Sequence, residues 1–97
     1  MLTIEEIKKA VSKIGKKYNI KSAYLFGSYA KGTAGEGSDV DLIIDDGGNI
    51  KGYVAFNGFR FELMDELGTG VDLLTPKSMG ERFYNLIKND RILLYGE

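Results

Sequence analysis

Three aspartates carry the strongest chemical signal in this sequence. Asp39 and Asp41 are two residues apart in the run Ser38-Asp39-Val40-Asp41-Leu42-Ile43-Ile44, which reads as a strand from Asp39 to about Asp45. Side chains two apart on a strand point to one face, with Cα atoms roughly 6.6 Å apart. Val40, Leu42 and Ile44 then take the other face as core. Asp72 sits in a second apolar strand, Val71-Asp72-Leu73-Leu74. Ionised carboxylates among residues that favour burial are costly, and neighbouring carboxylates repel until one is driven to keep its proton. A divalent cation relieves both penalties, which suggests a metal site built by Asp39 and Asp41 with Asp72 as a third ligand. The competing reading places the same residues at strand ends, hydrated or capping turns.

The second signal is Gly27-Ser28, directly after the apolar run Ala23-Tyr24-Leu25-Phe26 and before a short helix from Ser28 to Lys31. Glycine lets backbone approach a bulky anion closely, and a hydroxyl with N–H groups at a helix start can donate to phosphate. An ordinary tight turn explains the same pair. Lys31 adds positive charge nearby or is one more surface lysine.

What is missing narrows the chemistry. With no histidine and no cysteine among 97 residues, imidazole bases, thiolate nucleophiles, zinc–thiolate sites and disulfides are excluded. Any metal ligands are therefore oxygens, which suit hard cations such as Mg²⁺ or Mn²⁺. The chain has no G-x-x-x-x-G-K-[ST] phosphate loop and no dinucleotide-binding fingerprint. The sixth position counted from Asp39 is Ile44, where a calcium loop requires glycine. A net charge of -1 gives no bulk attraction to nucleic acid or membranes, so neither is an expected partner. No apolar run approaches the roughly 18 residues of a membrane span, and the N-terminus does not resemble a signal peptide; the expectation is a soluble cytoplasmic protein.

The elements that must position these residues follow from periodicity. Ile4, Ile7, Val11, Ile14 and Tyr18 form one helical stripe. Thr3 with Glu6 makes a capping box, and Leu2 with Ile7 a hydrophobic staple. Lys8, Lys9, Lys13, Lys16 and Lys17 read as a solvated face. Gly32, Gly35 and Gly37 make a loop, and Gly47-Gly48-Asn49 a turn. A helix from about Tyr53 to Leu67 buries Phe56, Phe59, Leu63 and Leu67 and ends at Gly68. Strand Val71–Leu74 is followed by a last helix opened at Thr75-Pro76 or at Ser78 and running to about Lys88, then a strand from Arg91 to Tyr95. The expected order is α-β-(short α)-β-α-β-α-β, in one domain spanning residues 1–97.

Taken together, Gly27-Ser28 and Asp39-Val40-Asp41 spell G-S-x(10)-D-x-D within GSYAKGTAGEGSDVDLIID. This resembles the signature of the nucleotidyltransferase superfamily with the DNA-polymerase-β-like fold. The whole chain, through LGTGVDLLTP, is similar to its minimal nucleotidyltransferase (MNT) family. The resemblance implies an α+β, two-layer fold with a mixed β-sheet packed against helices. It implies that Gly27, Ser28 and Lys31 bind the triphosphate of ATP, although many members carry arginine at the position of Lys31. It implies that Asp39 and Asp41 bind two Mg²⁺ ions, Mn²⁺ being an alternative. Asp72 would share one ion and help deprotonate an acceptor hydroxyl that attacks the α-phosphate.

A chain this short has little left for an acceptor pocket, so the acceptor is expected on a docking macromolecule. The resemblance points the same way: such proteins are commonly antitoxins paired with HEPN-domain toxins, and some transfer AMP to a toxin tyrosine. Two alternatives stay open. One is a non-catalytic antitoxin that neutralises its partner by masking. The other is a catalytic subunit that modifies a small molecule or RNA. Phe56, Phe59 and Phe61 surround more than one face of their helix, so some could serve an interface rather than the core. Tyr29, beside the motif, could lie against a base or simply pack.

Overall fold

The computed structural model describes residues 1–96; Glu97, the last residue of the expected domain, lies outside them. The first helix, α1, spans Ile4–Tyr18, and its capping box forms as the sequence indicates. Thr3 Oγ1 accepts from the Glu6 N–H at 3.1 Å, and Glu6 Oε1 accepts from the Thr3 N–H at 2.9 Å. Ile7, Val11 and Ile14 are buried, as their spacing requires, while Leu2 packs against the same core. Ile4 departs from the stripe and is exposed, being the first helical residue.

The chain continues through β1 (Ser22–Phe26), α2 (Gly27–Lys31), β2 (Val40–Asp45), α3 (Gly52–Leu67), β3 (Val71–Leu74), α4 (Glu81–Ile87) and β4 (Ile92–Gly96). The four strands form one sheet in the order β3-β2-β1-β4. β1 runs antiparallel to β2 and β4, and β2 parallel to β3, so the sheet is mixed. Helices α1 and α3 pack together over one face. That face contributes Ala23, Leu25, Val40, Leu42, Ile44 and Val71, which join Ile7, Val11, Phe59 and Leu63 in a single buried cluster. Lys13–Glu66 and Lys17–Glu62 ion pairs and a Tyr18–Glu62 hydrogen bond cross between the two helices; at such exposure the ion pairs add little.

The opposite face presents Tyr24 and Phe26 from β1, Asp41 and Ile43 from β2, and Asp72 and Leu74 from β3, as the strand alternation and register dictate. Since β3 and β4 lie at opposite edges, residues 75–91 must cross the sheet, and they do so over this face. The Arg91 guanidinium sits 4.1 Å from the centre of the Tyr24 ring, and Phe83 meets Phe26 edge-on at 6.0 Å. The last helix is shorter than the sequence reading: it begins at Glu81 with Gly80 as its cap, not at Thr75 or Ser78. Ser78 does not cap Glu81 because it closes a turn with Thr75 instead, its Oγ donating to the Thr75 carbonyl at 2.9 Å and accepting from the Thr75 N–H at 2.9 Å. Serine and threonine side chains compete for backbone groups in this way and favour turns.

Phe59 is fully buried between α1 and the sheet and stacks edge-on against Tyr18 at 5.1 Å. Phe59→Ala should lower the unfolding free energy by about 3–5 kcal/mol, read as a fall in urea midpoint at unchanged slope. A loss under about 1 kcal/mol would show that the site refills and that Phe59 is not the keystone of this layer.

Candidate active site

Two pairings gather the candidate residues. The antiparallel register of β1 and β2 sets Phe26 opposite Asp41, so the chain leaving β1 at Gly27 starts beside Asp41. The parallel register of β2 and β3 sets Asp41 opposite Asp72. The end of β1 and the beginnings of β2 and β3 therefore meet at one end of the sheet. Asp39 stands one residue before β2 rather than within it. The pairing nonetheless continues outward, with the Val40 N–H donating to the Gly70 carbonyl at 2.9 Å and Thr69 Oγ1 to the Ser38 carbonyl at 3.3 Å. Arg60 Nε donates to the Val71 carbonyl at 2.7 Å, fixing the peptide that precedes Asp72.

Asp41 is the half-buried member of the trio, while Asp39 and Asp72 are exposed. Burial first, then the charge of Asp72, a hydrogen bond shared with Asp72 and the charge of Asp39 hold the Asp41 carboxyl above its ordinary value. Asp41 and Asp72 are thus close enough to share a proton, and Asp39 acts on Asp41 through charge alone. The ion pairs among the described residues are Lys13–Glu66 and Lys17–Glu62, so no lysine or arginine neutralises the trio. Among the described residues, no three acidic groups close into a metal cage by themselves. The donor set still fits a hard cation: it is all carboxylate oxygen, it carries uncompensated negative charge, and Mg²⁺ typically takes only one or two protein carboxylates beside waters and substrate phosphates.

Two glycines leave room for these carboxylates. A Cβ at Gly27 would collide with the Asp41 carboxylate, and its φ of +73° is one that other residues rarely adopt. A Cβ at Gly70 would collide with the Asp39 carboxylate. Gly27 opens α2, Ser28 lies half-buried in its first turn, and Lys31 is exposed in its last turn. Tyr29 is 8% exposed and belongs to the core, which resolves its two readings in favour of packing. Gly70 and Arg60 escaped the sequence reading. The LGTGVDLLTP segment contains Gly70, but only the cross-strand contact with Asp39 reveals what its small size is for.

Residues 4–94 match the family model described as Nucleotidyltransferase domain. The chain is 33% identical over 91 residues to a provisionally named protein adenylyltransferase of Methanocaldococcus jannaschii, an alignment covering 94% of this chain and 97% of the relative. It is 32% identical over 83 residues to protein adenylyltransferase MntA of Thermococcus cleftensis, covering 81% of this chain and 83% of the relative. Its fold is similar to that of a chain in the structure of a tri-AMPylated Shewanella oneidensis HEPN toxin in complex with MNT antitoxin. That match has a TM-score of 0.73 at 18% identity and covers 98% of this chain and 74% of the other; at this identity the likeness is one of fold.

Gly27→Ala should cost on the order of 1–2 kcal/mol from the left-handed backbone alone and push Asp41 aside. The expected readout is a lower melting temperature. Asp41 yields a prediction with a definite sign. Its folded carboxyl holds the proton more tightly than the unfolded chain does, so ionising it costs stability. That cost is absent below the ordinary value of 3.8, grows as pH rises, and is complete above the raised folded value. Metal-free Asp41→Asn should therefore melt above the parent at pH 7, and the two should converge as pH falls below 3.8. Equal melting temperatures at pH 7 would show that the carboxylates do not strain one another.

Proposed function

The chain belongs to the nucleotidyltransferase domain family, and from that premise we propose that it transfers AMP from ATP to a side-chain hydroxyl of a HEPN-type toxin, acting as the antitoxin of the pair. Tyrosine is the acceptor that the family resemblance implies. The observation that carries this reading is the alignment of Asp41 with Asp72 beside the Gly27-Ser28 turn. A protein acceptor is supported by the names of the relatives, both protein adenylyltransferases in name. The HEPN assignment is supported by the complex whose fold this chain shares.

In this mechanism Gly27 lets the backbone approach the outer phosphates of ATP, Ser28 donates hydrogen bonds to them, and Lys31 supplies charge. Asp39, Asp41 and Asp72 are the residues that would hold two Mg²⁺ ions. Bound there, the cations would offset the negative charge of the triphosphate and of the attacking oxygen. The acceptor oxygen forms a bond to the α-phosphorus as the bond from that phosphorus to the pyrophosphate oxygen breaks. The acceptor proton passes to a carboxylate oxygen of Asp72, and pyrophosphate leaves. Asp72 suits the acceptor side because it is exposed and so within reach of a group carried by another molecule. No helix among the described residues is long and apolar enough to cross a membrane.

The test mixes the chain with ATP, MgCl₂ and the HEPN-domain protein encoded beside it, and follows the partner by intact mass. One or more AMP additions are expected, abolished by EDTA and reduced at least about 100-fold by Asp39→Asn with Asp41→Asn. No addition, while an established adenylyltransferase labels its own substrate in the same mixture, would refute the proposal. Full neutralisation of the toxin by the double variant would establish masking instead.

A further inference from the structure

We propose that the exposed side of α4, centred on Leu86 and the uncovered edge of Phe83, is the surface on which the protein acceptor docks; the proposal rests on the transfer reading above and adds where the partner sits. Helix α4 contains Phe83, Tyr84, Leu86 and Ile87, yet buries none of its residues. Leu86 is 71% exposed. Helices in a globular chain normally hide their apolar stripe, and a contiguous apolar surface beside a reaction centre marks an interaction site.

The position of this face selects the occupant. The Phe83 ring contacts Phe26, and Phe26 pairs with Asp41 on the neighbouring strand. A molecule covering Phe83 therefore sits next to the strand position of Asp41. The helix is anchored there, because the Arg91 guanidinium lies between the rings of Tyr24 and Tyr84, at 4.1 and 5.2 Å. Exposed Lys77, Arg82 and Lys88 on and beside this helix are nearly balanced by exposed Glu81 and Asp90, so apolar side chains rather than charge define the match, an apolar ridge on the acceptor. The rival patch, Tyr53 and Val54, is equally apolar and borders a groove of about 490 Å³ that also includes Asp46, Leu73 and Thr75. Its Asp46 end lies roughly 16 Å of strand beyond Asp41, so Tyr53 is the contrasting position against which Leu86 is tested.

The experiment measures KM for the HEPN-domain protein, KM for ATP and kcat in the parent, Leu86→Glu and Tyr53→Glu, with the mass of each in solution by light scattering. Leu86→Glu should raise KM for the protein acceptor on the order of tenfold or more, with kcat and KM for ATP within about twofold of the parent; Tyr53→Glu should change none of them. An unchanged acceptor KM in Leu86→Glu, or the loss appearing in Tyr53→Glu instead, would overturn the proposal. So would a Leu86→Glu variant that dissociates a dimer of this chain while keeping its affinity for the partner. If the parent transfers no AMP, calorimetry without nucleotide still decides the docking face: binding lost in Leu86→Glu upholds it, and binding retained refutes it.

Discussion

Charging Asp41 beside Asp72 is opposed by burial first and by their mutual repulsion second, and the fold has to hold the two carboxylates together against both. They lie side by side because β2 and β3 run parallel in one register, and burial together with Asp39 raises the cost of charging Asp41 further. What holds them there is the other face of the same strands, where Val40, Leu42, Ile44 and Val71 are fully buried. A slip of one residue would turn the aspartates into that core and expose the apolar side chains. Burying each such side chain is worth about 1.5–3 kcal/mol, which together outweighs the repulsion of carboxylates that remain partly hydrated. Hydrophobic burial therefore sets the register, and the register sets the electrostatics.

Crowding charge at one end of a sheet also demands space. Gly27 and Gly70 supply it from two directions, one against Asp41 and one against Asp39. Neither glycine is needed for the core. Gly27 carries an additional cost of backbone freedom on folding, and a larger residue at either position would relieve no strain elsewhere. Sites that concentrate strain and like charge in this way sacrifice stability for chemistry, and here the sacrifice is confined to the three strand ends and the loops leading into them.

Local features were readable in the sequence, and non-local ones less so. The capping box of Thr3 and Glu6, the stripe of α1, the strand Val71–Leu74 and the end of α3 at Gly68 all follow from residues within a few positions of one another. The last helix was over-extended because Thr75 and Ser78 bear cap-like side chains, and nothing in the local pattern says that they satisfy each other. Carboxylate chemistry alone grouped Asp72 with Asp39 and Asp41, but the register that sets Asp72 opposite Asp41 was not legible, since the parallel alignment of β2 with β3 spans the whole of α3. Gly70 and Arg60 were missed for the same reason: each acts on a residue far away in the chain, Gly70 on Asp39 and Arg60 on the carbonyl of Val71.

The strand order has a last consequence. With β3 and β4 at opposite edges, the return segment has to traverse the face that carries Asp41 and Asp72, because α1 and α3 occupy the other. It does so with a turn and a seven-residue helix, which leave Phe26 and Ile43 buried but do not cover Asp72. A transferase for a small acceptor closes over its substrate to exclude water. This chain leaves Asp39 and Asp72 exposed and places its least buried helix next to them. An open site beside an exposed apolar helix is the arrangement that the proposed docking of a protein acceptor requires.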